Sequence, residues 1–407
     1  MRTKCPRGVP MESISEKIKE KRNRLNMTQK ELSDALGMGK NGDRTLRRWE
    51  LGESQPSPME LKLILKYPEN PRYSNPPLEN SQFTTIDLFA GIGGIRLGFQ
   101  KYGGHTLFSS EWDKFSQKTY RANFGEMPHG DITKIDEKDE TIPKHDILLA
   151  GFPCQPFSQA GLKKGFEDTR GTLFYHIARI LAEKRPKAFL LENVKQLRGH
   201  NRGKTLEIIK NVLFELDYCV HIDVLRAADF GVPQNRERIF IVGFDNRQGG
   251  AFAPFEFPAP LKTPTRVGDI LEDLDEVKRE KYTISDRLYE GHLRRKEMHR
   301  KKGNGFGFSL FNEESEYTNT ISARYYKDGS EILIEQKDRN PRKLTPRECA
   351  RLQGFPDDFI IPVSDSQAYR QFGNSVAVPV IEAVAGKMLE AMEACNMLAR
   401  SKESVLI

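Results

Sequence analysis

Long apolar runs are missing from this 407-residue chain. Nothing approaches the ~20 residues of a membrane-spanning helix, and Met1-Arg2-Thr3-Lys4-Cys5-Pro6-Arg7 lacks the apolar stretch of a signal peptide. Cysteine is scarce. The five thiols, Cys5, Cys154, Cys219, Cys349 and Cys395, are odd in number and widely scattered, which excludes a disulfide framework and points to a reducing cytoplasm. No Cys-x-x-Cys pair and no His pair at ligand spacing occurs, so no metal is expected. Internal repeats are lacking too. The length exceeds what one hydrophobic core usually supports, so two or three domains are expected.

Charge is present but unevenly placed. Of a net +7, residues 1–75 hold 16 Lys and Arg against 10 Asp and Glu, leaving +1 for the other 332 residues. A second basic run, Arg287 to Lys302, has seven basic and two acidic residues. Two basic patches flanking a nearly neutral body suit nucleic acid better than a membrane, because no amphipathic lipid-facing helix accompanies them.

Residues 12–70 read as helices. Ile14, Ile18 and Leu25 fall at helical spacing, and Thr28 with Glu31 forms a capping-box pattern ahead of Leu32 and Leu36. After a turn at Gly37 to Gly42, Asp43 is expected to cap a helix, Arg44 to Leu51, that carries Arg44, Arg47, Arg48 and Trp49. Residues 71–82, rich in Pro, Asn and Ser, read as a linker.

Apolar strand candidates then alternate with helical stretches: Thr85 to Phe89, Thr106 to Ser110, Asp146 to Ala150, Ala188 to Leu191, His221 to Leu225 and Ile239 to Phe244. This pattern predicts an α/β fold, a doubly wound Rossmann-like sheet over 83–245. Residues 246–343 lose the alternation and read as an inserted, irregular lobe. Helical character returns in 344–400, which completes the core.

Chemistry concentrates at the predicted strand ends. Asp87-Leu88-Phe89-Ala90-Gly91-Ile92-Gly93-Gly94 joins a strand to a helix, and its glycines let a ligand approach the backbone. About twenty residues on, Glu111 occupies the position of a ribose-binding carboxylate, and Trp112 offers a face for adenine. Asp131, after Gly130, is expected to end a third strand. This pocket suits either a dinucleotide or S-adenosylmethionine. In Gly151-Phe152-Pro153-Cys154-Gln155-Pro156-Phe157-Ser158 two prolines stiffen a turn around Cys154, a nucleophile candidate whose competing reading is a buried core thiol. A thiol at this pocket argues against hydride transfer. Glu192 leaves an apolar strand, where burial should raise its pKa and suit it to proton donation, and Arg236 and Arg238 lie on one face before the sixth strand.

The segments Asp87 to Gly94, Gly130-Asp131-Ile132, Gly151 to Ser158, Gly171-Thr172-Leu173-Phe174, Glu192-Asn193-Val194, Gln234 to Arg238, Arg347 to Pro356 and Gly373 to Pro379 resemble, in order and spacing, the motif series of DNA cytosine-5 methyltransferases. The resemblance covers residues 83 to about 395. It implies that Cys154 attacks C6 of a cytosine while Glu192 engages N3, Arg238 holds O2 and Arg236 supports the site. It also implies that C5 takes its methyl group from S-adenosylmethionine, held by Phe89, Gly91, Gly93, Glu111, Trp112, Asp131, Ile132, Leu173, Asn374 and Val376. Residues 161–171, with Lys163 and Lys164 for phosphate, resemble the family's catalytic loop, which closes over a base extruded from duplex DNA. Gly303 to Phe308 and Thr320 to Ile334 resemble the subgroup that methylates CC-containing palindromes (CCNGG, CCWGG or CCGG), the Dcm-type enzymes among them. There Arg324 is the candidate for reading guanine, with a phosphate clamp as its alternative.

Residues 12–70 resemble the helix-turn-helix of phage-repressor-like regulators, although the Gly37 to Trp49 interval is about three residues longer than usual. The expected partner is double-stranded DNA, bound by a monomer at the methylation site and by a dimer through the N-terminal domain on operator DNA, on the bacterial nucleoid. An RNA cytosine methyltransferase is the alternative that the motif set leaves open.

Overall fold

The computed structural model describes residues 13–25, 27–39, 41–67, 69, 71–136, 141–153, 172–261, 263–303 and 307–398. Cys154, Lys163, Lys164 and the whole segment 154–171 lie outside the described residues. The chain divides into two units, one of residues up to Ser74 with Lys118–Met127, the other of Asn75–Gln117 and the residues from Pro128 on.

In the first unit four helices follow in order: α1 (Ile14–Arg24), α2 (Gln29–Ala35), α3 (Gly42–Glu50) and α4 (Pro58–Lys66). Capping boxes open α1 at Ser13 and α4 at Ser57, and Thr28 and Glu31 exchange the same pair of bonds ahead of α2. Asp43 is not the cap of α3. That position is Asn41, with no side-chain cap, and Asp43 sits in the first turn, where a carboxylate favours the helix dipole. Ile18, Leu32, Ala35, Leu46, Trp49 and Ile64 form the core. Glu50 is the bolt between helices, accepting from Arg22 Nε at 2.6 Å and from Gln29 Nε2 at 2.8 Å.

The second unit is built on six strands and the helices between them: β1 (Phe83–Leu88), α5 (Gly94–Gln100), β2 (Gly104–Ser110), α6 (Lys114–Phe124, counted with the first unit from Lys118 on), β3 (Ile147–Gly151), α7 (Leu173–Lys184), β4 (Ala188–Val194), α8 (Lys204–Glu215), β5 (Tyr218–Arg226) and β6 (Glu237–Asp245). The sheet order is β2-β1-β3-β4-β6-β5. The first four strands run parallel, and their alternating side chains feed two apolar layers. Ile147, Leu149 and Leu190 face one layer with Ile95 and Phe99 of α5. Leu148, Ala150 and Leu191 face the other with Ile177 and Val212 of α7 and α8. β6 is antiparallel to both β4 and β5. Its first residues therefore meet the carboxyl end of β4, with Val194 opposite Arg238. Gly243 lies under Phe189 across this ladder, where an added Cβ would stand 2.1 Å from the ring.

Residues 128–131 do not form a strand of the sheet. A single bridge joins His129 to Ser110, and the Asp131 carboxylate accepts from the Thr133 amide at 3.0 Å and hydroxyl at 2.8 Å, which winds the chain into a 3₁₀ turn. The inserted lobe is less irregular than its sequence suggests. It holds α9 (Glu276–Tyr282), α10 (Asp286–Lys301) and a parallel strand pair, β7 (Leu310–Phe311) and β8 (Leu333–Ile334). The basic run thus forms a helix, capped by Ser285. Three further helices, α11 (Pro346–Leu352), α12 (Asp365–Asn374) and α13 (Val378–Ala394), return the chain to the sheet, where α13 packs on α5 through Gly98. The lobe is tied to α11 by a buried fork from Arg342 to Glu348, at 2.7 and 2.8 Å.

Among the described residues no helix is long and apolar enough to cross a membrane.

Candidate active site

Parallel strands end their peptide dipoles and open their crossover turns on one edge, so ligands bind at the carboxyl ends of such sheets. Here β1 reaches that edge with Asp87 and Leu88, β2 with Ser110, β3 with Gly151 and β4 with Glu192 to Val194. Register places Gly151 directly opposite Glu192. In the sequence Cys154 follows Gly151 by three residues. The Asn193 side chain donates to the Phe152 carbonyl at 2.8 Å and pins the departure of the chain toward Cys154. Sequence reasoning passed over Asn193 except as part of a motif; its position after Glu192 was the available signal.

Glu192 is buried and paired with Arg238, whose Nε stands 3.0 Å from the carboxylate. Burial pushes the Glu192 carboxyl above its usual range, and the neighbouring Arg238 and Arg236 recover only part of that rise. Arg236 is more deeply buried than the partly exposed Arg238. It is 2% exposed and spends its guanidinium on the backbone carbonyls of Ile321, Gly373 and Ser375.

The β1–α5 turn has the conformations that a close-approaching ligand requires. Phe89 adopts φ 55° and Gly91 φ 55°, and nothing lies within 4 Å of where a Gly91 Cβ would stand. Gly93, at φ 85°, opens α5. Glu111 accepts from the Gly91 amide at 2.8 Å and from the Asp113 amide at 2.7 Å, so each carboxylate oxygen is oriented. Trp112 beside it is 77% exposed, an unusual state for an indole on a sheet edge. Ile132 is buried, Asp131 and Leu173 are half-buried, and Leu173 opens α7 behind the Thr172 cap. Val376 and Ser375 pack on Gly94, which joins the far end of the chain to this turn, while Asn374 is exposed at the end of α12. These contacts unite Phe89, Gly91, Gly93 and Val376 around one turn, with Glu111 bonded to it.

Asp87 is the unexpected member. It is fully buried, and neither carboxylate oxygen has a hydrogen-bond partner among the described residues. Burial pushes its pKa up to about 7 against the pull of Arg96, and Glu111 adds to the rise. An exposed indole, an oriented carboxylate, open space over a glycine and a buried acid whose oxygens have no hydrogen-bond partner among the described residues together fit a ligand with a flat heterocycle, sugar hydroxyls and positive charge.

The DNA candidates divide. Arg44, Arg47 and Arg48 are exposed on α3 around the buried Leu46 and Trp49, with Arg48 3.7 Å from Glu53. Arg324 is exposed in the lobe and makes no ion pair with any described residue, while its amide is held by the Ser322 hydroxyl at 3.1 Å.

The C-5 cytosine-specific DNA methylase family model matches residues 83–390, and a helix-turn-helix model matches residues 18–71. The Type II methyltransferase M1.ScrFI of Lactococcus lactis subsp. cremoris is 65% identical over 381 residues, 93% of this chain and 96% of its own. M.SsoII of Shigella sonnei is 63% identical, covering 94% of this chain and 99% of its own. M.NlaX of Neisseria lactamica is 63% identical over 77% of this chain and 98% of its own. Among solved structures, the Entamoeba histolytica methyltransferase EhMeth aligns with a TM-score of 0.61 at 20% identity, covering 77% of this chain and 99% of that one, a likeness of fold.

The state of Asp87 makes stability depend on pH. Its folded pKa stands above the ordinary 3.8, so its contribution is fully present below pH ~4 and is lost as the pH rises through about 7. Asp87→Asn mimics the protonated acid. Melting of the ligand-free protein should therefore show parent and variant close together at pH 5 and the variant several degrees higher at pH 8; equal midpoints at pH 8 would mean that Asp87 carries its charge at no cost.

Proposed function

Since this chain belongs to the C-5 cytosine-specific DNA methylase family, we propose that it methylates C5 of one cytosine within a CC-containing palindrome such as CCNGG, CCWGG or CCGG. It serves as the modification enzyme of a Type II restriction-modification system. It works in the cytoplasm on nucleoid DNA, as a monomer at the methylation site. The observation that carries the assignment of roles is the pairing of Glu192 with Gly151 in the sheet, three residues from Cys154, with Arg238 on the same carboxylate.

S-adenosylmethionine, when bound, supplies an electrophilic methyl group. Phe89, Gly91, Gly93, Glu111, Trp112, Asp131, Ile132, Leu173, Asn374 and Val376 would hold it at the β1–α5 edge. The aromatic ring of cytosine resists electrophiles at C5, and Cys154 removes that resistance. Its thiolate adds to C6, the C5–C6 π electrons move toward N3 and O2, and C5 becomes a nucleophile. Glu192, whose pKa burial raises, gives its proton or hydrogen bond to N3, and Arg238 stabilises charge at O2. After methylation the C5 proton leaves to base, the C5–C6 double bond re-forms, and Cys154 departs as thiolate. The reaction requires the base outside the stack, at a cost of a few kcal/mol. Lys163 and Lys164 would hold phosphate there, and Arg324 would read guanine.

A second role rests on the first unit. Its own core, its capping boxes and an arginine-bearing outer face on α3 support a regulator that dimerises on operator DNA upstream of its own gene.

Two measurements test these readings. The pH profile of kcat should fall on the alkaline side as Glu192 loses its proton at a raised pKa. Glu192→Gln should lower kcat by about 10²–10⁴ and abolish that limb; an unchanged alkaline limb would remove Glu192 from proton donation. For the first unit, footprinting on promoter DNA that lacks the methylation target should show protection, lost in Arg44→Ala/Arg47→Ala with methylation intact. No protection by the parent protein would leave the helices a structural role only.

A further inference from the structure

Three segments far apart in the chain meet at the turn before β6. Gln234 is fully buried; its amide nitrogen donates to the Leu352 carbonyl at 3.0 Å, and its oxygen accepts from the Ile321 amide at 3.1 Å. Arg236 donates to the Ile321 carbonyl at 3.1 Å through one terminal nitrogen, and to the carbonyls of Gly373, at 3.1 Å, and Ser375 through the other. Its Nε has no partner among the described residues, so these carbonyls alone fix the buried guanidinium. Gly373 has no room for a side chain. A Cβ there would stand 2.3 Å from the Ser322 carbonyl group and 2.4 Å from the Ala323 nitrogen. Backbone therefore rests on backbone two residues from Arg324. On the other side, Ser375 and Val376 would crowd any Cβ on Gly94 to 2.9 Å, at the head of α5.

An unbroken chain of tight contacts thus runs from the segment before Arg324, through Gly373 and the Arg236 guanidinium, to the turn that holds Phe89 and Gly91. Close-packed backbones cannot slide independently, and a guanidinium bonded to both segments transmits the ordering of either one to the other. We infer that target reading and cofactor binding are coupled through this junction, with Arg236 and Gly373 as positioning residues. The inference rests on the proposed roles of Arg324 in base reading and of Asn374 and Val376 in cofactor contact. Coupling of this kind is reciprocal: if the target duplex tightens the cofactor, the cofactor must tighten the target duplex by the same factor.

The test uses the full chain and S-adenosylhomocysteine as probe. Its dissociation constant is measured calorimetrically alone, with a duplex carrying the sequence found methylated in cells, and with a scrambled duplex of equal length. The parent should show about tenfold tighter probe binding with the target than with the scrambled duplex, and the same factor in the reverse titration. In Arg236→Lys and Gly373→Ala the factor should fall to about one, while the preference for target over scrambled duplex without probe is kept. A factor of one in the parent overturns the coupling, as does an undiminished factor in the variants. Loss of target preference in step with the factor also overturns it, because Arg236 would then be an ordinary recognition residue. Arg236→Lys adds no volume and remains decisive if Gly373→Ala fails to fold. Arg324→Ala separates the premises: retained target preference in that variant sinks the base-reading role, whereas lost preference with a parental factor of one sinks the coupling alone.

Discussion

The ion pair between Glu192 and Arg238 is where the topology of the sheet becomes chemistry. Four parallel strands bring carboxylates, glycines and the approach to Cys154 to one edge, but parallel strands alone would carry the arginines away to the opposite edge. The reversal of β6 solves this: its amino end meets the carboxyl end of β4, and the register sets Arg238 opposite Val194, near Glu192. Removing one partner of such a buried pair typically costs about 3–5 kcal/mol, because the other charge is left without compensation. Burial favours the protonated form of the carboxyl group and Arg238 opposes it in part, while keeping positive charge where negative charge would develop on the pyrimidine.

From that edge the organisation extends in two directions. Toward the lobe, the turn before β6 binds residues more than 80 positions away by hydrogen bonds to their backbone, and the buried Arg342 to Glu348 fork anchors the lobe again at α11. The N-terminal helices, by contrast, close their own core, and α1, α2 and α4 open on their own capping boxes. Consistent with this, about three quarters of the chain matches nearly the whole of M.NlaX. Chemistry and the second DNA-binding role are thus carried by separate pieces of sequence.

Much of the catalytic unit is legible in one dimension because its elements are apolar runs bounded by glycine and proline. All six apolar strand candidates between Thr85 and Phe244 form, with helices between them. The misses share a cause. Asp131 after Gly130 suggests a strand end, yet its carboxylate accepts from the Thr133 amide and turns the chain. α10 was invisible because its faces are charged almost all round, and only Ser285 and its length mark it. Asn193, Gln234 and Gly373 act through partners 41, 118 and about 50 residues distant, and no local pattern reports such contacts. The buried, unpartnered Asp87 likewise reads in sequence as one more turn residue. Cys154, the residue most plainly marked by its flanking prolines, lies outside the described residues.

The account stands on a transient bond between the Cys154 sulfur and C6 of the target cytosine. Replacing that cytosine with 5-fluorocytosine leaves C5 without a removable proton, so the sequence of addition and methylation cannot finish. Incubated with such a target duplex and S-adenosylmethionine, the protein should become covalently joined to DNA. Peptide mapping should locate the adduct on Cys154, and Cys154→Ala should form none. A duplex that is methylated normally as the cytosine form, yet never traps the protein as the fluorinated form, would contradict it.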